Sequence, residues 1–160
     1  MNPGTRRGAW TEEAVAHVLD QLAQRRIETI CLAGFMRVLP AAVVRAFPSR
    51  ILNIHPSLLP SFPGLHAPRQ ALRAGAKVSG CTVHFVDEGV DTGPMLLQAA
   101  VPVLPDDDED RLAARVLEQE HRLFPRVLRW FAAGRLELDG ARALLDGRPL
   151  DGWPETLPAA

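Results

Sequence analysis

The segment Ile51-Leu52-Asn53-Ile54-His55-Pro56 most constrains how this chain can fold. A short aliphatic run of this kind reads as a buried strand, and Pro56 stops it because proline brings no N–H to a ladder. Side chains at i and i+2 of a strand share a face. Asn53 and His55 therefore project together, and Ile54 turns the other way into apolar packing. Pro60, Pro63 and Gly64 then hold a stiff loop over the strand's C-terminal end. Open α/β sheets bind their ligands there. An amide N–H beside an imidazole suits chemistry in which an oxyanion develops and a proton moves. The same pair also fits a buried strand end whose polar groups bond to nearby loops.

The flanking sequence builds an α/β pattern around this strand. Thr11 can cap a helix with Glu12 and Glu13 in its first turn, and Ala14, Val15, Val18, Leu19 and Leu22 follow at helical spacing. Ile27 to Ala33 reads as a buried strand broken by Gly34. Pro40 opens a short helix that runs to Phe47. With Ile51–His55 this makes a parallel βαβ unit. Pro68 and Gly75 bracket another helix. Val78 to Val86 alternates as a strand, Asp87 to Pro94 is an acidic turn, and Met95 to Val103 is a further strand. A long helix opens in Pro105–Asp110 and carries Leu112, Val116, Leu117 and Leu123. Pro125 is expected to kink or restart it, and Gly134 to end it. Asp146-Gly147 suits a small hairpin.

A length of 160 residues fits one domain over 1–160. A net charge of -1 supplies no basic field for nucleic acid or an anionic membrane surface. No apolar run reaches the length of a membrane span. Cys31 and Cys81 sit in strand-like apolar settings and read as core residues in a reducing cytoplasm. The acidic run Asp106–Asp110 opposes a helix macrodipole, and no ligand spacing calls for a metal. Asp91 could reach His55 if its loop meets the Pro56–Gly64 loop. On its own, an aspartate in such a loop more commonly caps its own turn. Glu120 and His121 lie on a helix face that is either solvated or aimed at a substrate cation. His84 reads as a satisfied core histidine.

Several strings in order along the chain resemble the phosphoribosylglycinamide formyltransferases. They are Leu32-Ala33-Gly34-Phe35-Met36-Arg37, Leu52 to Pro60, Phe62 to His66, His84-Phe85-Val86, Asp91-Thr92-Gly93-Pro94 and Gln119-Glu120-His121. The resemblance runs from about Glu12 to about Leu150. It implies a Rossmann-like, mostly parallel sheet flanked by helices. It implies transfer of a formyl group from 10-formyltetrahydrofolate to glycinamide ribonucleotide in de novo purine biosynthesis, in the cytoplasm, by a monomer or homodimer. No metal, nucleic acid or membrane is implied. Asn53, His55 and Asp91 would be catalytic. Met36, Arg37, Val38 and Leu39, together with Asn53 and the loop Asp87, Glu88, Gly89, Val90 and Asp91, would hold the folate. Leu117, Glu118, Gln119 and Glu120 would hold the nucleotide, with Glu120 receiving its ammonium.

The chain departs from the family at its start. The family opens with a strand and a Gly-x-Gly-Ser-Asn turn that cradles phosphate at a helix start. Met1 to Thr5 offers neither. The first strands and phosphate loop are therefore expected to be lacking, one edge of Ile27–Ala33 to be unpartnered, and this chain alone to be an incomplete enzyme. Thr11 stands about where the family has a folate-binding arginine, with Arg6 and Arg7 nearby. Pro68 stands where relatives often carry a second histidine. Rival readings are a methionyl-tRNA formyltransferase, a formyltetrahydrofolate hydrolase, and a folate-binding remnant without activity.

Overall fold

The structure is a computed structural model and describes residues 10–150; Met1 to Thr5, Arg6 and Arg7 lie outside them. Thr11 caps α1 (Glu12–Gln24) by accepting the Ala14 N–H at 3.1 Å. β1 (Ile30–Ala33), α2 (Ala41–Ala46) and β2 (Ile51–His55) form the expected unit, with β1 and β2 parallel and Ile30 opposite Ile51. α3 (Ala67–Arg73) starts beside Pro68, and Gly75 follows it. β3 (Val78–Phe85) and β4 (Met95–Pro102) add to the sheet in the order β1-β2-β3-β4. The β2–β3 and β3–β4 pairings are antiparallel. The result is a mixed sheet flanked by helices.

Helices cover both faces. Leu112, Val116, Leu123 and Val127 of α4 (Glu109–Ala132) are all but inaccessible and meet Leu52, Ile54, Cys81, Val83 and Phe85 in one core. The Phe85 and Phe131 rings meet edge to face at 6.0 Å, a favoured aromatic geometry. On the other face Val43, Val44 and Ile51 form a smaller cluster, joined by Val15, Leu19, Ile30 and Leu32. Ile54 thus packs opposite to Ile51, Asn53 and His55, as the period of two requires.

Two local expectations are corrected, and one of two alternatives is decided. β1 begins at Ile30 rather than Ile27. The Ile27 N–H bonds to the Leu22 carbonyl and closes α1, so residues 27–29 are a connector. Cys31 is exposed rather than in the core, because alternation sends Ile30 and Leu32 beneath the helices and turns Cys31 the other way. Cys81 is buried as expected. α4 runs through Pro125 without restarting. The intrahelical bond that Pro125 cannot make belongs to the carbonyl of exposed His121, where solvent can substitute.

Gly134, at φ +67°, ends α4. Its N–H bonds to Phe131 and the Arg135 N–H to Trp130, the Schellman pattern. β5 (Leu136–Asp139), β6 (Arg142–Leu145) and β7 (Arg148–Pro149) form a small antiparallel sheet. Asp146 and Gly147 make the β6–β7 turn with positive φ at both, as their sequence suits; β5 was not foreseen. No helix of the described residues is long and apolar enough to cross a membrane.

Candidate active site

The site is built on the end of β2. Antiparallel pairing puts Asn53 opposite His84 and His55 opposite Thr82. The proline-rich loop beyond Pro56 is tied to the sheet at Thr82. The Thr82 hydroxyl donates to the Ser57 carbonyl at 2.7 Å and accepts the Leu59 N–H at 3.0 Å. Gln98 Nε2 donates to Thr82 Oγ1 and to the Leu59 carbonyl, each at 2.9 Å. Gly80 makes room for this loop: a Cβ there would stand 2.8 Å from Leu58 Cδ2 and 2.0 Å from the Ala99 carbonyl oxygen.

The acidic loop closes over the same strand end. A Cβ on Gly93 would lie 1.8 Å from the Phe85 carbonyl oxygen, so only glycine lets the loop fold back onto β3. Asp87 is the aspartate that caps the turn, accepting the Gly89 N–H at 3.0 Å and the Thr92 hydroxyl at 2.7 Å. Asp91 is thereby left to face the strand. Its Oδ2 lies 3.3 Å from His55 Nδ1 and accepts the Gly64 N–H at 2.7 Å. Its Oδ1 lies 3.6 Å from His84 Nε2. The two loops meet, and Asp91 reaches His55.

Hydrogen-bond roles follow from the neighbours. His84 Nδ1 is 2.9 Å from the Phe85 carbonyl and must donate to it. Burial lowers the His84 pKa, so the neutral ring has a lone pair on Nε2. Asn53 Nδ2 donates to that lone pair at 3.1 Å. This fixes which way the Asn53 amide points and leaves its second N–H for a ligand. His55 is buried, with Nε2 2.9 Å from the Phe62 carbonyl and Nδ1 facing Asp91. Both neighbours are acceptors, so the ring is held as a proton donor.

A cleft of about 470 Å³ opens beside these groups. Asn53, His55 and Asp91 line it, with Met36 on one wall and Leu117 and Glu120 of α4 on another. A smaller cavity of about 70 Å³ adjoins it, also lined by Asn53 and Asp91. Leu39, Asp87 and Gly89 line the small cavity alone, whereas Arg37, Val38 and Val90 line both. Glu88 lines neither and pairs with Arg45 at 3.0 Å. The segment Leu117–Glu120 is split by the helical turn: Gln119 is buried, Glu118 is exposed, and neither lines the cleft. Burial pushes the Glu120 carboxyl up to about 7. The Cys81 thiol is pushed up to about 12 by burial, with Glu120 adding to the shift, which leaves it inert. Among the described residues no three His, Cys, Asp or Glu side chains are grouped to hold a metal.

His84 is buried and bonded as expected of a core histidine, yet the sequence reading missed its tie to Asn53. The signal lay in strand register, which local sequence does not carry. His66 and Glu109, 3.5 Å apart at the cleft wall, were likewise given no role.

Known proteins share this arrangement of elements. Residues 6–128 match the formyl transferase family. The chain is 49% identical over 144 residues to a phosphoribosylglycinamide formyltransferase of Escherichia coli, covering 90% of this chain and 66% of that protein. It is 60% identical over 119 residues to the trifunctional purine biosynthetic protein adenosine-3 of Drosophila melanogaster, covering 74% of this chain and 9% of that one. The crystal structure of glycinamide ribonucleotide transformylase 1 from Symbiobacterium toebii superposes with a TM-score of 0.82 at 50% identity, over 91% of this chain and 68% of that one. The chain thus spans just under two thirds of the bacterial relative and a small part of the insect one. On this match, and on the shared fold, the chain belongs to the formyl transferase family.

Proposed function

We propose that this chain carries the reacting groups of an enzyme that moves a formyl group from 10-formyltetrahydrofolate to the amine of glycinamide ribonucleotide, in purine biosynthesis. The observation behind this reading is the convergence of Asn53, His55 and Asp91 on one wall of a cleft whose opposite wall holds Glu120. The acceptor amine forms a bond to the formyl carbon, and negative charge grows on the formyl oxygen. The free N–H of Asn53 donates to that oxygen, where a fixed donor acts most strongly, and the His55 Nε2–H joins it on releasing the Phe62 carbonyl. The bond from carbon to the folate nitrogen then breaks. One proton leaves the attacking amine and one reaches the departing nitrogen, with the His55–Asp91 pair as the relay. Arg37, Val38, Leu39, Asp87, Gly89 and Val90 suit the flat ring of the folate, because they wall a narrow cavity beside Asn53. An ionised Glu120 receives the amine end of the acceptor. Its partial neutrality near pH 7 favours binding on the alkaline side.

The test is formyl transfer by the purified chain, alone and with an added segment bearing the family's Gly-x-Gly-Ser-Asn turn. Donor binding is followed by calorimetry in parallel. His55→Ala is expected to lower the transfer rate about a thousandfold while donor binding persists. A rate near that of the parent overturns the role given to His55. Transfer to water rather than to the amine overturns the acceptor assignment and favours a hydrolase.

A further inference from the structure

We propose that Trp10 is a positioning residue for the donor wall of the cleft, latching the Phe35–Leu39 loop from behind. Trp10 immediately precedes the cap of α1 and lies far from the loop in sequence. Its indole N–H donates to the Val38 carbonyl at 3.0 Å. The Arg37 guanidinium sits over its ring, 4.4 Å from the centroid. Each contact has its own physical basis, a hydrogen bond from an indole donor and a cation–π attraction. They fall on consecutive residues, and both of those residues line both cavities.

The loop needs such a hold. It forms neither helix nor strand and carries Met36 and Val38 at 68% and 57% exposure. It springs from β1, an edge strand of the sheet among the described residues. An apolar wall presented to solvent without support samples many shapes, and a ligand must then select one. Trp10 ties the wall to the first turn of a capped helix. The bound shape is thereby populated before the ligand arrives, which raises affinity without adding a contact.

This inference rests on reading the cleft as a folate site, and the experiment separates the two. The probe is 5-formyltetrahydrofolate, which has the same ring system but carries its formyl group on a different nitrogen. Binding is measured by calorimetry and by tryptophan emission for the parent, Trp10→Phe and Trp10→Ala. Trp10→Phe keeps a ring under Arg37 and loses the N–H; Trp10→Ala loses both contacts. The parent is expected to bind with a change in emission that both variants lack. Affinity is expected to fall roughly three- to tenfold in Trp10→Phe and roughly ten- to thirtyfold in Trp10→Ala. Formyl transfer at saturating donor is expected to stay within about twofold of the parent for Trp10→Phe, so that KM moves and kcat does not. If the parent fails to bind the probe, the folate reading fails and the latch with it. If the parent binds and both variants bind within about twofold of it, the latch alone is overturned. A loss of melting temperature without a loss of affinity also overturns it, because that is what a purely structural tryptophan gives.

Discussion

β1 and β2 are neighbours in one sheet, paired residue for residue, and both are short aliphatic runs. Their surroundings differ. Ile51 and Leu52 of β2 are fully buried, whereas β1 alternates half-buried and exposed. The helices repeat the contrast. α4 buries five residues and α1 buries none. Apolar composition therefore states that a strand forms and leaves open what will cover it. The contrast also divides the site. Asn53, His55 and His84 stand on the covered strands, where packing holds their geometry. The Phe35–Leu39 loop grows from the strand at the margin, so its shape depends on ties such as Trp10.

The contrast can be broken by mutation. Leu112→Ala removes a side chain with no exposure from the α4 core and is expected to lower unfolding free energy by about 3 kcal/mol. Leu19→Ala, on the half-buried face of α1, is expected to cost about 1 kcal/mol. Equal losses in urea unfolding would show that the two regions are held alike. Glu120 sharpens the comparison from the covered side. Burial raises its carboxyl from 4.5 to about 7. The folded state favours the neutral form, so this contribution to stability is complete below pH 4.5 and is lost as pH rises through 7. Glu120→Gln is expected to match the parent near pH 4.5 and to exceed it at pH 8 by up to about 3 kcal/mol, as read from melting curves at both values. A constant gap across that range would contradict the burial argument. The smallest effect belongs to the exposed Arg45–Glu88 pair near the margin. Arg45→Ala is expected to change stability by less than about 0.5 kcal/mol. A loss above about 1 kcal/mol would show that the acidic loop depends on α2.

Much of the site was legible because a period of two is written in the residues themselves. Asn53 and His55 share a face, and Ile54 packs behind them. Asp91 was undecided from sequence because Asp87 and Asp91 occupy one glycine-bearing turn. Geometry gave the capping task to Asp87 and freed Asp91. The bond between His84 and Asn53 was illegible, because pairing between distant strands is not a local property. The resemblance groups Glu118 and Gln119 with Leu117 and Glu120, but successive helical positions point about 100° apart, and of the four only Leu117 and Glu120 line the cleft. Cys31 was misjudged because burial needs a neighbour as well as an apolar side chain.

The Thr82 hydroxyl joins Ser57, Leu59 and Gln98 across two strands and a loop. Its consequence concerns time as much as shape. Leu59 lies outside helix and strand, yet its amide hydrogen is held by a buried oxygen of the central sheet. It should leave that bond only when the sheet itself opens. The proline-rich loop, whose ends Pro56 and Gly64 line the cleft, is therefore tied at Leu59 to the slow clock of the core, and the loop beyond β1 runs on the faster clock of a surface segment.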